Sequence, residues 1–190
     1  TFDEPIGDAT SIAEVTPEPF DLPEWTADDP LAVLFTSGTT GEPKGVVLTL
    51  ANVLASATAS AFRLGLRPDD CWHVPLPMYH MGGLAPVYRS VLYGTALSVQ
   101  RGFDPGATLS ALSAAEASAV SLVPARLDRL LDAGELPELR FVLVGGAPCP
   151  PELMGRAHDR GVPVAPTYGM TETASQIATA RPEEARTAPE

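Results

Sequence analysis

Hydrophobic positions along this chain switch repeatedly between short continuous runs and a helical spacing. The short apolar runs, which are typical of buried strands, lie at 31–35, 46–49, 72–74, 96–99, 119–122, 141–144 and 162–164. The stretches with helical spacing or helix-start signals lie at 50–65, 83–93, 105–115, 124–133 and 151–160, with a further helix expected near Thr171. This alternation predicts an α/β fold with a mostly parallel sheet flanked by helices. In such sheets ligands gather at the carboxyl ends of the strands.

The two ends of the chain differ from this pattern. Residues 1–30 are rich in proline and acidic residues. This predicts an extended lead-in without a long stretch of regular hydrophobic spacing. Residues 31–180 carry the strand and helix signals and are expected to form the folded unit. Residues 181–190 are polar and are expected to be a flexible tail.

Composition is typical of a globular domain and limits the classes of partner that the chain is expected to bind. Hydrophobic residues make up 45% and charged residues 19% of the chain, and no apolar run approaches the roughly 20 residues of a membrane helix. The first residues lack the pattern of a signal peptide, so a cytoplasmic location is expected. A formal net charge of -12 argues against a nucleic-acid surface. It also means that a bound nucleotide needs local positive charge and backbone N–H donors. Nothing in the sequence decides whether the chain forms a homo-oligomer.

The loop at 36–45, TSGTTGEPKG, is the clearest candidate for an anion site. Its glycines free the backbone to approach an anion, and its hydroxyl and N–H groups supply hydrogen-bond donors. Lys44, the only lysine in the chain, adds an ammonium group for phosphate oxygens. The spacing differs from that of a Walker loop, and a strand rather than a helix is predicted to follow. The alternative, a polar hairpin loop, explains the glycines and threonines but not the whole string.

The segment at 167–173, TYGMTET, is a second candidate. It is predicted to close a strand and open a helix, so that phosphate would meet helix N–H groups and the hydroxyl of Thr171. Glu172 is a suitable ligand for Mg²⁺ beside phosphates. The alternative is that Thr171 only caps a helix whose first turn Glu172 stabilises.

These two segments, in this order, resemble the signatures of the adenylate-forming superfamily, which includes acyl- and aryl-CoA ligases, luciferases and peptide-synthetase adenylation domains. The fold class that this implies is part of the large N-terminal α/β domain of such an enzyme. Gly145-Gly146-Ala147, at the end of a predicted strand, matches the place where the family's adenine and acyl groups meet backbone. The residues that the resemblance implies for ATP or AMP binding are Thr36, Ser37, Gly38, Thr39, Thr40, Gly41, Lys44, Gly145, Gly146, Ala147, Thr167, Tyr168, Gly169, Met170 and Thr171.

A third segment narrows the resemblance. Residues 75–84, PLPMYHMGGL, are similar to the family's aromatic/histidine segment, and together with TYGMTETASQI they are most like the o-succinylbenzoate–CoA ligases of menaquinone synthesis. The substrate-binding residues that this implies are His80, Gly83, Arg89, Gly145 and Ser175. The implied catalytic residues are Lys44, His80, Thr171 and Glu172, with Glu172 as the metal ligand. A lone histidine such as His80 is otherwise more often a packed or exposed side chain.

The resemblance implies a two-step reaction with ATP, Mg²⁺, a carboxylic acid and CoA, through an acyl-AMP. The family's ribose-binding aspartate motif, hinge and C-terminal lid with its catalytic lysine do not occur in these 190 residues. We therefore expect a partial adenylating domain over 31–180 that has negligible ligase activity by itself. Two alternatives stay open, another aryl- or acyl-CoA ligase and a non-catalytic nucleotide-binding fragment.

Overall fold

A computed structural model describes residues 24–36 and 43–187, which form a two-stranded hairpin and a six-stranded sheet flanked by helices. The strands are β1 (Pro30–Thr36), β2 (Lys44–Thr49), β3 (Cys71–Val74), β4 (Ala96–Val99), β5 (Ala119–Leu122), β6 (Phe141–Val144), β7 (Val164–Met170) and β8 (Ser175–Thr179). The helices are α1 (Leu50–Leu64), α2 (Met81–Tyr93), α3 (Pro105–Ala114), α4 (Pro124–Ala133), α5 (Pro151–Asp159) and α6 (Pro182–Thr187). The prediction of an α/β fold is confirmed.

The large sheet has the order β4-β3-β5-β6-β7-β8, and every neighbouring pair is parallel except β7 and β8. From β3 the chain crosses to one side to form β4, and β5 then returns to the other side of β3. The carboxyl ends of β3 and β5 therefore flank a topological switch point. Open α/β sheets bind ligands in the crevice at such a point.

The central strands are buried on both faces, which explains why they appear in the sequence as continuous apolar runs. Val120 and Val142 join leucines of α3, α4 and α5 in one cluster, while Ala119 and Phe141, one residue away, join Trp72 on the opposite face. Side chains alternate between faces along a strand, so these four-residue runs need helices on both sides.

The loop singled out at 36–45 joins the two strands of the separate hairpin, as the sequence predicted. β1 pairs antiparallel with β2. Thr36, the last residue of β1, lies opposite Lys44, the first residue of β2. The capping box between Thr49 and Asn52 starts α1 directly after β2. Residues 37–42 lie outside the described residues.

Two predictions about the second motif are wrong. The strand expected at 162–164 begins at Val164 and continues to Met170, through the first half of the motif. The helix expected near Thr171 is a single 3₁₀ turn, Thr171–Thr173, after which β8 returns antiparallel to β7. Ala174 adopts a left-handed conformation with φ of 51°, and this ends the turn after three residues. The proposed helix N-terminus for phosphate is therefore absent here.

Residues 182–187 of the predicted polar tail form α6. Glu184 of this helix accepts a hydrogen bond from the guanidinium of Arg63 on α1, and Arg181 Nε donates to the carbonyl of Arg63 at 3.0 Å. In the described part of the chain, no helix combines the length and the apolar character required to cross a bilayer.

His73 lies in the centre of β3, fully buried, with Ser98 Oγ 3.0 Å from Nδ1 and Gln100 Oε1 3.1 Å from Nε2. Burial lowers the pKa of His73 below its ordinary value, and the hydrogen bond to Gln100 partly opposes this. The imidazole is therefore a structural group of the sheet.

We expect this buried imidazole to make the fold less stable in mild acid. Because its pKa is lower in the folded chain, protonation below the ordinary value of 6.5 favours the unfolded chain. The contribution of His73 is complete above that pH and is lost as the pH falls. In urea titrations from pH 8 to pH 5, His73→Gln should lose less stability over this range than the wild type does. Equal losses in the two proteins would contradict the assignment.

Candidate active site

A cleft of about 630 Å³ opens at the carboxyl ends of β3, β5, β6 and β7, at the switch point of the sheet. Its walls come from the segment after β3 with the first turn of α2, from the end of β5, from Gly145-Gly146 after β6 and from the β7–β8 hairpin. These segments are far apart in sequence, and the parallel order of the strands brings them together.

Many of the predicted site residues line this one cleft. All five predicted substrate-binding residues do so, together with Gly146 and four predicted nucleotide-binding positions of the motif at 167–173. These residues are His80, Gly83, Arg89, Gly145, Gly146, Thr167, Gly169, Met170, Thr171 and Ser175.

Other predicted residues lie elsewhere. Thr36, Lys44, Ala147, Tyr168 and Glu172 are not part of the cleft wall as the described residues define it. Lys44 and Glu172 are exposed, and Thr36 Oγ1 lies 3.5 Å from the carbonyl oxygen of Lys44. Ser37, Gly38, Thr39, Thr40 and Gly41 lie outside the described residues.

Arg89 is the most unusual group in the cleft. Arg89 is 2% exposed, and none of its three guanidinium nitrogens has a hydrogen-bond partner among the described residues. The guanidinium carbon lies 5.6 Å from the centre of the Trp72 ring. Burial lowers the pKa of Arg89 to about 10, and the Coulomb effect of Tyr93 opposes this. The group is still protonated at neutral pH, so the cleft has an unpaired buried cation that a bound carboxylate would neutralise.

The approach of β6 to β7 depends on Gly145. A Cβ atom at this position would lie 2.7 Å from Thr167 Cγ2 and 2.8 Å from the Thr167 carbonyl oxygen. The end of β6 can therefore lie against the backbone of β7 only without a side chain. This contact joins the Gly145-Gly146 wall to the motif at 167–173.

Ser175 enters the cleft from a strained turn. Its φ of 117° is unusual for a residue other than glycine, and it follows Ala174, which is also left-handed. Helix α1 holds this turn, because Ser56 Oγ donates a 2.7 Å hydrogen bond to the carbonyl of Ala174. One turn later Ser60 Oγ donates to Gln176 Oε1 at 3.0 Å. The packing of α1 thus fixes one wall of the cleft.

The mouth of the cleft carries aromatic and polar groups beside His80. The rings of Tyr79 and His80 lie with their centres 4.6 Å apart, and both line the cleft. His80 is the N-cap residue of α2, and its side chain makes no capping hydrogen bond. The imidazole is therefore free to face a ligand.

The donor set around Thr171 fits Mg²⁺ only when a nucleotide supplies further ligands. Glu172 is exposed next to Thr171, and the described residues contain no cluster of three metal-ligating side chains. Mg²⁺ is commonly bound through one or two carboxylates together with substrate phosphates and water. One carboxylate at this place is sufficient for that kind of binding.

Sequence reasoning missed Arg126, Tyr79 and Gln176, which also line the cleft. Tyr79 lies within the segment 75–84, and Gln176 lies within TYGMTETASQI at 167–177. Arg126 follows the carboxyl end of β5, and the rule that ligands gather at such ends could have identified it.

Comparisons with known proteins agree with this arrangement. The sequence profile of the family described as AMP-binding enzyme matches residues 2–190. The 2-succinylbenzoate–CoA ligase of Bacillus mycoides (strain KBAB4) is 41% identical over 177 residues, which are 89% of this chain and 37% of that protein. The chain thus spans about a third of the length of the curated relatives it matches.

Solved structures of related proteins have the same fold. The o-succinylbenzoate CoA synthetase from Bacillus subtilis in complex with ATP and magnesium ion matches with a TM-score of 0.83 and 36% identity, over 90% of this chain and 36% of that one. The same synthetase in complex with the acyl-adenylate intermediate matches with a TM-score of 0.81 and 38% identity, over 84% of this chain and 33% of that one.

The profile match covers nearly the whole chain, and the fold and the order of the motifs agree with it. The chain therefore belongs to the AMP-binding enzyme family.

Proposed function

We propose that the gene product containing this chain activates a carboxylic acid with ATP and transfers the acyl group to CoA, and that the acid is o-succinylbenzoate. The observation that carries the proposal is Arg89, a buried and unpaired guanidinium on the wall of a cleft at the switch point of the sheet. Such a group suits a carboxylate ligand, because a guanidinium binds the two carboxylate oxygens in a planar arrangement. The named relatives act on, or are bound to, this acid or its adenylate.

In the first step a carboxylate oxygen attacks the α-phosphorus of ATP, and pyrophosphate leaves. In the second step the CoA thiolate attacks the acyl carbon, and AMP leaves with the carboxylate oxygen. The chain contributes mainly by orienting the reactants and by stabilising charge on the phosphate oxygens. Arg89, His80, Gly83 and Ser175 are proposed to hold the acid.

The nucleotide is proposed to lie along Gly145-Gly146-Ala147 and the motif at 167–173. Lys44 and Thr171 would bind phosphate oxygens, and Glu172 would hold Mg²⁺, which neutralises phosphate charge when bound. Backbone N–H and hydroxyl groups of residues 36–41 are proposed as further donors. Residues 31–180 then act as part of an adenylating domain.

The proposal has three further parts that rest on the relatives and on composition. The product would enter menaquinone biosynthesis, since that is the pathway of the ligases that the chain resembles. The location would be cytoplasmic. Self-association into a homo-oligomer is compatible with this function.

ATP–pyrophosphate exchange with a panel of acids tests the proposal on the complete gene product. We expect o-succinylbenzoate to support exchange, and CoA to draw the reaction on to a thioester. Exchange with other aryl or acyl acids alone would favour a different CoA ligase. No exchange with any acid would favour a nucleotide-binding protein without this activity.

A further inference from the structure

Helix α4 separates its charges onto two faces. Asp128 and Asp132 each lie 2.5 Å from a guanidinium nitrogen of Arg156 on α5. Arg126 and Arg129, three residues apart, both stack on Phe103, with guanidinium carbons 4.9 Å and 5.1 Å from the ring centre. Neither arginine has an ion-pair partner among the described residues. Two like charges therefore share one aromatic ring without an anion.

Only one of the two arginines reaches the cleft. Arg126 lines it and Arg129 does not. Nη1 of Arg126 donates a hydrogen bond to the carbonyl of Pro75, and the guanidinium lies over the ring of Phe103. No other hydrogen bond joins Arg126 to the described residues, so Nε and Nη2 remain available to a ligand. A group held in this way loses little conformational entropy when it binds.

The electrostatic surroundings of Arg126 favour an anion. Burial lowers the pKa of this guanidinium, the nearby Arg129 lowers it further, and Tyr79 has the opposite effect. The net charge of the whole chain is -12, so the positive charges of Arg126 and Arg129 oppose the negative field of the chain as a whole. A bound carboxylate would relieve the repulsion between Arg126 and Arg129.

The cleft therefore has two guanidinium groups, Arg89 on its buried wall and Arg126 beside Tyr79. We propose that Arg126 is a specificity-determining residue that binds the second carboxylate of a dicarboxylic acid whose first carboxylate is bound by Arg89. This rests on the proposed function, and it extends that function by naming the residue that selects a dicarboxylic acid over a monocarboxylic one.

Isothermal titration of the complete gene product tests the assignment with three acids. The probes are o-succinylbenzoate, 4-oxo-4-phenylbutanoate, which lacks the aryl carboxylate, and 2-butanoylbenzoate, which lacks the succinyl carboxylate. We expect Arg126→Gln to weaken binding of the diacid by about 10- to 100-fold. It should weaken only one of the two monoacids, and Arg89→Met should weaken the other.

Arg129→Gln is the matched control, since it removes a charge from the same helix and the same ring but lies outside the cleft wall. It should change binding of each acid by less than about threefold. Arg126→Lys keeps the charge and should recover part of the lost affinity for the diacid. Urea unfolding of each variant shows whether the fold is retained.

The proposal is overturned if Arg126→Gln weakens both monoacids equally, or if it behaves like Arg129→Gln. These outcomes are separate from the proposed function. Pyrophosphate exchange with o-succinylbenzoate together with an inert Arg126→Gln would leave the activity intact and refute the role of Arg126. Selective loss of diacid binding in Arg126→Gln, without any pyrophosphate exchange in the wild type, would support the role of Arg126 and refute the proposed activity.

Discussion

Replacing Arg89 with methionine is expected to stabilise the folded chain and to abolish binding of the carboxylic acid. The guanidinium is buried without a hydrogen-bond partner among the described residues. Burial lowers its pKa to about 10, and a fall of this size corresponds to roughly 3 kcal/mol of lost solvation. The contact with Trp72 offsets about 1 kcal/mol of this. Methionine is also unbranched but carries no charge, so the free energy of unfolding should rise by about 1–2 kcal/mol.

Urea unfolding without ligand measures the stability half of this prediction. Fluorescence of Trp72, in a background where Trp25 is replaced by phenylalanine, measures the binding half in this chain, because Trp72 is then the only tryptophan of its 190 residues. Arg89→Lys retains a cation and should bind the acid more weakly than the wild type but better than Arg89→Met does. A destabilised Arg89→Met protein that binds the acid normally would show that Arg89 is only a packing residue.

Replacing Gly169 with alanine is expected to disrupt the β7–β8 hairpin. The added Cβ would lie 1.9 Å from the carbonyl oxygen of Ser175 and 2.6 Å from its carbonyl carbon. These are backbone atoms of the paired strand, so the hairpin must open rather than adjust a side chain. We expect a loss of about 3 kcal/mol in the free energy of unfolding, together with loss of acid binding.

Gly155→Ala provides the matched control for the same chemical change. Gly155 lies inside α5, and an added Cβ would have no atom within 4 Å beyond the adjacent backbone of its own helix. Alanine at such a position should stabilise the chain by about 0.5–1 kcal/mol. Equal effects of the two substitutions in chemical unfolding would show that the hairpin tolerates the added methyl group.

Local signals in the sequence were sufficient to predict the parallel part of the fold. The four-residue runs of β5 and β6 are apolar because both faces of the sheet are covered. Pro105, Pro124 and Pro151 each stand in the first turn of a helix, where the missing N–H is not needed. The capping box at Thr49 marks the start of α1. These features depend on neighbours along the chain.

The hairpin at the second motif could not be predicted in this way. Nothing in the sequence around Thr171 forbids a helix, and the turn is held by tertiary contacts instead. Ser56, more than 100 residues earlier, donates to the carbonyl of Ala174, and β7 pairs with β8. The position of Arg126 after a predicted strand could have identified it as a candidate, but only the fold shows that it lines the same cleft as Tyr79 and the motif at 167–173. Arg89 and Ser175 were identified through family resemblance, and their burial and strain became visible only in the structure.

Isotope transfer tests the central claim, that this cleft belongs to an enzyme that forms an acyl-adenylate. o-Succinylbenzoate with oxygen-18 in both carboxylates is incubated with ATP, Mg²⁺, CoA and the complete gene product, and the nucleotide products are analysed by mass spectrometry. Because the attacking carboxylate oxygen leaves with AMP, we predict AMP that carries one oxygen-18 atom per thioester formed. Formation of ADP with labelled phosphate, or of AMP without label, would contradict the account.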